Sequence, residues 1–194
     1  MDSITILDRL IAFPTVSRDS NLQLVGWARE RLAERGVDCS LVHDATGTKA
    51  NLYASIGPAD RPGVMLSGHT DVVPVEGQDW TVPPFALTRR DGRLYGRGAA
   101  DMKGFVACAL AAALRATERR LAAPLRLALS YDEEVGCIGV RRLIEALADA
   151  PVRPAFCIVG EPTSMTVATG HRGKAALEAT CVGREGHSAM APMA

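Results

Sequence analysis

The sequence predicts an α/β fold: a mostly parallel mixed sheet flanked by helices. Three observations carry this expectation. Short apolar runs of strand length alternate with stretches of helical period along the chain. The runs at 64–67, 125–131 and 155–159 each end in polar, acidic or imidazole-bearing residues, as strands delivering side chains to one sheet edge do. No internal repeat, coiled coil or low-complexity tract competes with that reading.

Taken in order, residues 3–13 form an amphipathic helix, with Ser3 as N-cap, Ile4, Leu7, Leu10 and Ile11 on one face, and Pro14 ending it. A second helix runs from about residue 21 to 35 and stops at Gly36. Strands are expected at 39–42, 51–56 and 64–67. Residues 73–99 form a Pro- and Gly-rich loop, too long for a routine connection and so expected to border a site. Residues 101–117 read as a helix whose alanines permit close packing. A strand at 125–131, a helix at 138–148 and strands at 155–159, 165–169 and 175–182 follow. The pattern changes after Gly170: the run 174–182 partly alternates, like a strand with one solvent face, so a domain boundary is expected near 173–176.

Bulk properties narrow the function. The 194 residues suffice for one sizeable domain, or for one domain and the start of another. A net charge of zero argues against phosphate neutralisation, and 5% aromatic residues argue against base stacking, so no nucleic-acid partner is expected. Five cysteines, odd in number and without a C-x-x-C pair, read as reduced thiols. The N-terminus lacks the basic region and apolar core of a signal peptide, and the longest apolar stretch, 105–114, is too short to span a bilayer. A cytoplasmic protein without a membrane partner is the expectation.

The chemistry concentrates where strands end. The run ending at Ser67 leads into Gly68-His69-Thr70-Asp71. The run 125–131 leads into Asp132-Glu133-Glu134, and the run ending at Val159 into Gly160-Glu161. Asp101 joins them at the start of its helix. If these strands are parallel neighbours, one imidazole and several carboxylates converge on one edge. Gathered carboxylates repel, and divalent cations resolve the repulsion. A mixed nitrogen and oxygen set suits zinc, cobalt or manganese. Glu133 and Glu134 are adjacent and point apart, so one can bind metal while the other acts as general base. Asp71 lies two residues beyond His69, placed to orient its ring. Singly, each element has a blander reading: a lone His69 or Glu161 is more often structural, and Glu133-Glu134 alone is usually a solvated turn.

On these residues the chain resembles the co-catalytic, di-zinc metallopeptidase and aminoacylase family. The matching segments are Ser67-Gly68-His69-Thr70-Asp71-Val72-Val73-Pro74, Leu94-Tyr95-Gly96-Arg97-Gly98-Ala99-Ala100-Asp101-Met102-Lys103-Gly104, Asp132-Glu133-Glu134-Val135-Gly136 and Gly160-Glu161-Pro162-Thr163. The run 127–140 is especially similar to a deacetylase of that family. The resemblance implies a zinc-exopeptidase-like catalytic domain over 1–174 and the beginning of an α+β lid and dimerisation domain over 175–194. It implies two divalent ions, Zn2+ or Co2+: His69 and Glu161 on one, Asp101 bridging both, Glu134 on the second. It also implies that Asp71 orients His69, that Glu133 is the general base, and that the Asp101–Met102 peptide is cis. The segment Gly183-Arg184-Glu185-Gly186-His187-Ser188-Ala189 resembles the start of the lid, where His187 would stabilise the oxyanion in the partner subunit of a homodimer. The implied substrate is a small N-acyl amino acid.

One departure stands out. In the family the second metal takes a further histidine from the C-terminal part of the catalytic domain, and this sequence offers none in an equivalent position before Ala194. The expectation is therefore a C-terminally truncated chain whose catalytic domain is incomplete. Its second metal site is expected to be weak or empty, and its activity low or absent.

Overall fold

The first helix, α1 (Ser3–Ile11), forms because Ile6, Leu7, Leu10 and Ile11 fall on one stripe and bury it. Its N-cap is Asp2, not Ser3: the Asp2 carboxylate accepts the Thr5 N–H at 2.8 Å, satisfying a donor the helix leaves free. These elements belong to a computed structural model that describes residues 1–170 and, beyond them, 172, 173, 175, 177–183, 185–187 and 189. The described chain separates into two units, Met1–Pro162 and Thr163–Ala194.

In the first unit the remaining elements are α2 (Leu22–Ala33), β1 (Cys39–His43), β2 (Ala50–Ile56), β3 (Val64–His69), β4 (Thr88–Arg90), β5 (Arg93–Tyr95), α3 (Lys103–Ala116), β6 (Leu125–Ser130), α4 (Ile138–Leu147) and β7 (Phe156–Val159). Five strands form one sheet in the order β1-β2-β6-β3-β7. β3 pairs in parallel with β6 on one side and with β7 on the other, while β2 runs antiparallel to both β1 and β6. Four of the five strands therefore point the same way, which is the mixed, mostly parallel sheet expected. The parallel trio β6-β3-β7 is the part that matters for function, since its carboxyl ends lie on one edge.

The core lies on the face covered by α1, α2 and α3. Leu52 and Ala54 from β2 and Leu127 and Leu129 from β6 meet Val106, Leu110 and the alanines of α3 there, all buried. Each buried leucine contributes roughly 1.5–3 kcal/mol relative to exposure. Small residues on α3 (Ala107, Ala109, Ala111 and Ala113, all buried) let the helix sit close to the sheet. The opposite face carries α4. At the sheet edge β7 is exposed along its whole length, Phe156, Ile158 and Val159 included.

Two local readings need correction. The stretch 73–99 is not structureless: β4 and β5 pair antiparallel within it, joined at Asp91-Gly92, both with positive φ. Asp-Gly is the dipeptide that a two-residue hairpin turn favours. In the second unit, residues 165–169 form no strand, and the described residues of 175–182 form none either. Met165, Val167, Leu177 and Val182 are almost fully exposed. A period-2 pattern makes a strand only where a neighbouring strand accepts its backbone groups, and among the described residues none pairs with these. Among the described residues, no helix is long and apolar enough to cross a membrane.

Asn21, just before α2, holds two layers together. Its side-chain amide donates to the Ala50 carbonyl at 2.8 Å and to Thr70 Oγ1 at 3.0 Å, and its oxygen accepts the Ala50 N–H at 3.0 Å. The residue is buried, so truncation orphans groups that water does not reach. Asn21→Ala is expected to lower unfolding stability by about 1–3 kcal/mol for each group left unpaired. Urea denaturation followed by circular dichroism checks this, with Asn21→Asp, which sets a buried carboxylate against the Ala50 carbonyl, expected to lose at least as much.

Candidate metal centre

The sheet positions the first ligand. β3 lies between β6 and β7, so the side chain at its carboxyl end sits in the middle of the trio. His69 is that last residue, paired in register with Ser130 of β6. Thr70 continues the pairing: its N–H and its hydroxyl both donate to the Ser130 carbonyl, at 2.8 and 2.7 Å. Beyond Ser130 the chain turns through Asp132, whose φ of +55° is left-handed, and presents Glu133 and Glu134. Beyond Val159 it presents Gly160 and Glu161.

Two glycines bring Asp101 to the same place. A Cβ at Gly160 would fall 1.9 Å from Phe105 Cγ of α3, and one at Gly68 would fall 3.0 Å from Met102 Cε. Without side chains there, the N-terminal end of α3 slides under the ends of β3 and β7. Asp101, two residues before α3, then reaches the imidazole. The Asp101–Met102 peptide is cis, as the resemblance implied.

The resulting geometry is compact. His69 Nε2 lies 3.1 Å from Asp101 Oδ1, 3.9 Å from Glu133 Oε2 and 3.9 Å from Glu161 Oε1. One donor atom each from His69, Asp101 and Glu161 falls within 4.8 Å of the other two. On the far side of the ring, Nδ1 is 2.9 Å from the Asp71 carbonyl oxygen and 3.5 Å from its Oδ1. In the neutral tautomer Nδ1 therefore carries the proton, and the Nε2 lone pair faces the carboxylates. The donor set fits a divalent cation: an imidazole nitrogen and the oxygens of mutually repelling carboxylates converge on one place.

Of the residues predicted for this site, the structure brings together His69, Asp71, Asp101, Glu133 and Glu161. Glu134 is close enough for Asp101, His69 and Glu133 to act on its charge, but its oxygens are not part of the compact three-residue set. His187 belongs to the second unit, where it is exposed and its Nδ1 accepts the Ala189 N–H at 3.2 Å.

Asp71 is fixed by its own partners. Its carboxylate accepts the Ser17 hydroxyl at 2.7 Å, the Glu133 N–H at 3.1 Å and the Glu134 N–H at 3.3 Å. Lys49 pairs with Asp132 at 2.6 Å and also donates to the Ser17 carbonyl. Lys103, fully buried, donates to the Phe13 carbonyl at 2.7 Å. Sequence reasoning passed over Ser17, Lys49 and Lys103. Lys103 had a visible signal, a lysine among the apolar residues that open α3. Ser17 and Lys49 had none, being polar residues in polar stretches.

The sequence pattern of the peptidase family M20/M25/M40 matches residues 65–187. The chain belongs to that family. It is 42% identical over 188 residues to acetylornithine deacetylase of Myxococcus xanthus, covering 94% of this chain and 48% of the relative. It is 36% identical over 186 residues to acetylornithine deacetylase of Pasteurella multocida (strain Pm70), covering 92% and 48%. The chain thus spans about half the length of these curated relatives. Among solved structures, it resembles the M20 family metallo-carboxypeptidase Sso-CP2 of Sulfolobus solfataricus, with a TM-score of 0.71 and 24% identity over 82% of this chain and 37% of that one.

The charges of the centre shift its protonation. Burial alone pushes the His69 pKa down, but the hydrogen bond and charge of Asp71, with the charge of Glu161, outweigh it and hold the pKa at about 9. Burial raises Glu161 and Glu134, and the neighbouring Asp101 raises both further. Burial drops Lys103 to about 7, against the pull of Asp71. Without metal these two cations oppose each other in pH dependence. His69 gains its proton more readily when folded, so its contribution is complete below 6.5 and lost as pH rises to about 9. Lys103 holds its proton less well when folded, so its contribution grows as pH rises from about 7 to 10.5. His69→Gln removes the first and leaves the second. In chelator, the denaturation midpoint of that variant is expected to rise over the Lys103 window, while the parent chain stays flatter.

Proposed function

We propose that this chain carries the metal-binding half of the active site of a metal-dependent amide hydrolase. The observation that carries the reading is the convergence of His69, Asp101 and Glu161 within 4.8 Å at the carboxyl edge of a parallel strand trio. In it, His69 and Glu161 would hold one divalent ion and Glu134 a second, with Asp101 serving both. Zinc and cobalt both suit these donors. Residues 1–174 form the catalytic domain in this reading, and 175–194 begin the lid and dimerisation domain.

Divalent ions held there supply Lewis acidity, which makes water a stronger acid and polarises an acyl carbonyl. The chain's own residues do the rest. Glu133 takes a proton from the attacking water at a carboxylate oxygen. The water oxygen forms a bond to the acyl carbon, and the C–N bond breaks. Glu133 returns the proton to the departing amine nitrogen. Asp71 holds the His69 ring so that Nε2 stays aimed inward. His187 of a second copy donates to the developing oxyanion, which is why a homodimer is part of the proposal.

The substrate proposed is N2-acetylornithine, cleaved to ornithine and acetate in cytoplasmic arginine biosynthesis. The two curated relatives named acetylornithine deacetylase, at 42% and 36% identity, support that choice over other N-acyl amino acids. A second reading is kept by Glu134 standing outside the compact three-residue set: a metal-binding paralogue that does not turn over substrate, or that pairs with a full-length subunit.

Parallel assays of N-acetylornithine, N-succinyl-diaminopimelate and simple N-acetyl amino acids test the reading. The Zn2+- or Co2+-loaded chain is expected to hydrolyse slowly, and to release acetate from N-acetylornithine ahead of the other substrates. Glu133→Gln is expected to lose about 10²–10⁴-fold in rate while still taking up metal. Faster turnover of another substrate moves the assignment to a different amidohydrolase. Release no faster than from Glu133→Gln leaves only the non-catalytic reading. In a separate measurement by calorimetry, Asp101→Asn and Glu161→Gln are expected to weaken metal uptake. Unchanged uptake in both would remove the metal centre itself.

A further inference from the structure

We propose that Ser17 is a positioning residue of the metal centre, acting through Asp71 on His69 and on the Glu133-Glu134 turn. The inference rests on the metal-centre reading above and extends it to a residue outside the ligand set.

The backbone places Ser17. After α1 the chain brings Val16 in parallel beside Val72 and turns at Ser17, the Asp19 N–H donating to the Val16 carbonyl at 2.7 Å. The Ser17 N–H donates to the Val72 carbonyl at 3.1 Å, and the Val72 N–H donates to the Thr15 carbonyl at 2.9 Å. Thr15 adds a side-chain bond, its hydroxyl donating to the Thr70 carbonyl at 2.5 Å. These bonds brace both sides of Asp71 and fix the Ser17 Cα relative to it. The hydroxyl that results is buried and reaches Asp71 Oδ2 at 2.7 Å.

What that hydroxyl does follows from counting acceptor sites. A carboxylate has two oxygens, and rotation about its terminal torsion is soft. In Asp71, Oδ2 accepts from Ser17 Oγ and from the Glu134 N–H, while Oδ1 accepts from the Glu133 N–H and lies 3.5 Å from His69 Nδ1. Ser17 is the one side-chain donor among these that is neither a proposed ligand nor part of the acidic turn. Without it the carboxylate is free to rotate toward His69 or toward the turn, and the two no longer share one plane. Lys49 strengthens the arrangement: it joins the Ser17 carbonyl to the Asp132 carboxylate, so the strap and the acidic turn are also tied outside Asp71.

A merely structural role predicts only a loss of stability, and a nearby serine makes the comparison possible. Ser20 sits three residues on and donates its hydroxyl to the Thr48 carbonyl at 2.5 Å, without touching Asp71. Co2+ is the probe, read by calorimetry for affinity and by its visible absorption for ligand geometry, on the 194-residue chain as it stands.

Ser17→Ala is expected to weaken Co2+ binding about 10–100-fold and to alter the visible spectrum, the scale on which groups that orient metal ligands act. Ser20→Ala is expected to leave both unchanged, and Ser17→Thr, which keeps the hydroxyl, to restore most of the affinity. In an Asp71→Asn background the Ser17→Ala effect is expected to vanish, because the residue it acts through has already been changed. If Ser17→Ala does not fold, Ser17→Cys takes its place in the cycle, since a thiol is a weaker donor of similar shape. Full Co2+ affinity in the folded serine variant, or an undiminished effect in the Asp71→Asn background, overturns the proposal while leaving the metal centre intact. A parent chain that takes up no Co2+ overturns the metal reading, and this proposal with it.

Discussion

The interaction on which the rest depends is the burial of the Asp71 carboxylate. Its side chain is 3% exposed, and a carboxylate so far from water is tolerated only when hydrogen bonds and charge compensate it. The compensation comes from three separate stretches of chain: Ser17 after α1, His69 at the end of β3, and the Glu133 and Glu134 backbone after β6. Meeting that demand sets the relative positions of all three. The same bonds hold the Asp71 pKa down although burial pushes it up, so the group stays ionised and goes on organising its neighbours.

A second constraint is steric. Glu161 and Asp101 join the imidazole only because α3 passes close beneath the strand ends. At Gly160 even a methyl group would overlap the Phe105 ring. The alanine-lined inner face of α3 extends that close approach along the sheet. Tight packing and site assembly are thus one event: a helix held farther away leaves His69 with Asp71 but without its other partners.

Much of this was legible in the sequence, for identifiable reasons. Strand runs at 64–67 and 125–131 are strongly apolar, so both the strands and the residues at their ends could be placed. The convergence of His69, Asp101 and Glu161 followed from assuming parallel neighbours, which the order β6-β3-β7 bears out. The hairpin β4-β5 was missed although Asp91-Gly92 announced it, because three-residue strands are too short for periodicity to register. Ser17 and Lys49 were not legible: their importance lies in contacts with residues 54 and 83 positions away. The strands expected at 165–169 and 175–182 failed for the opposite reason. A local pattern was present, but pairing is a tertiary matter.

The electrostatics of the centre argue for a cation independently of any resemblance. Five carboxylates, those of Asp71, Asp101, Glu133, Glu134 and Glu161, act on one imidazole or on one another there. Asp71 is satisfied by hydrogen bonds, and Lys103 is turned to the Phe13 carbonyl. The rest have one protonatable ring among them, and the pKa of that ring is driven to about 9 by burial-opposing contacts with Asp71 and by the charge of Glu161. A proton on His69 would neutralise part of the surplus, but only by occupying the nitrogen that faces the other donors or the one already given to Asp71. A divalent ion neutralises more charge, leaves the Nδ1 hydrogen on the Asp71 side, and uses the Nε2 lone pair. The fold thus gathers, at one sheet edge, a charge surplus that a proton relieves poorly and a divalent metal relieves well.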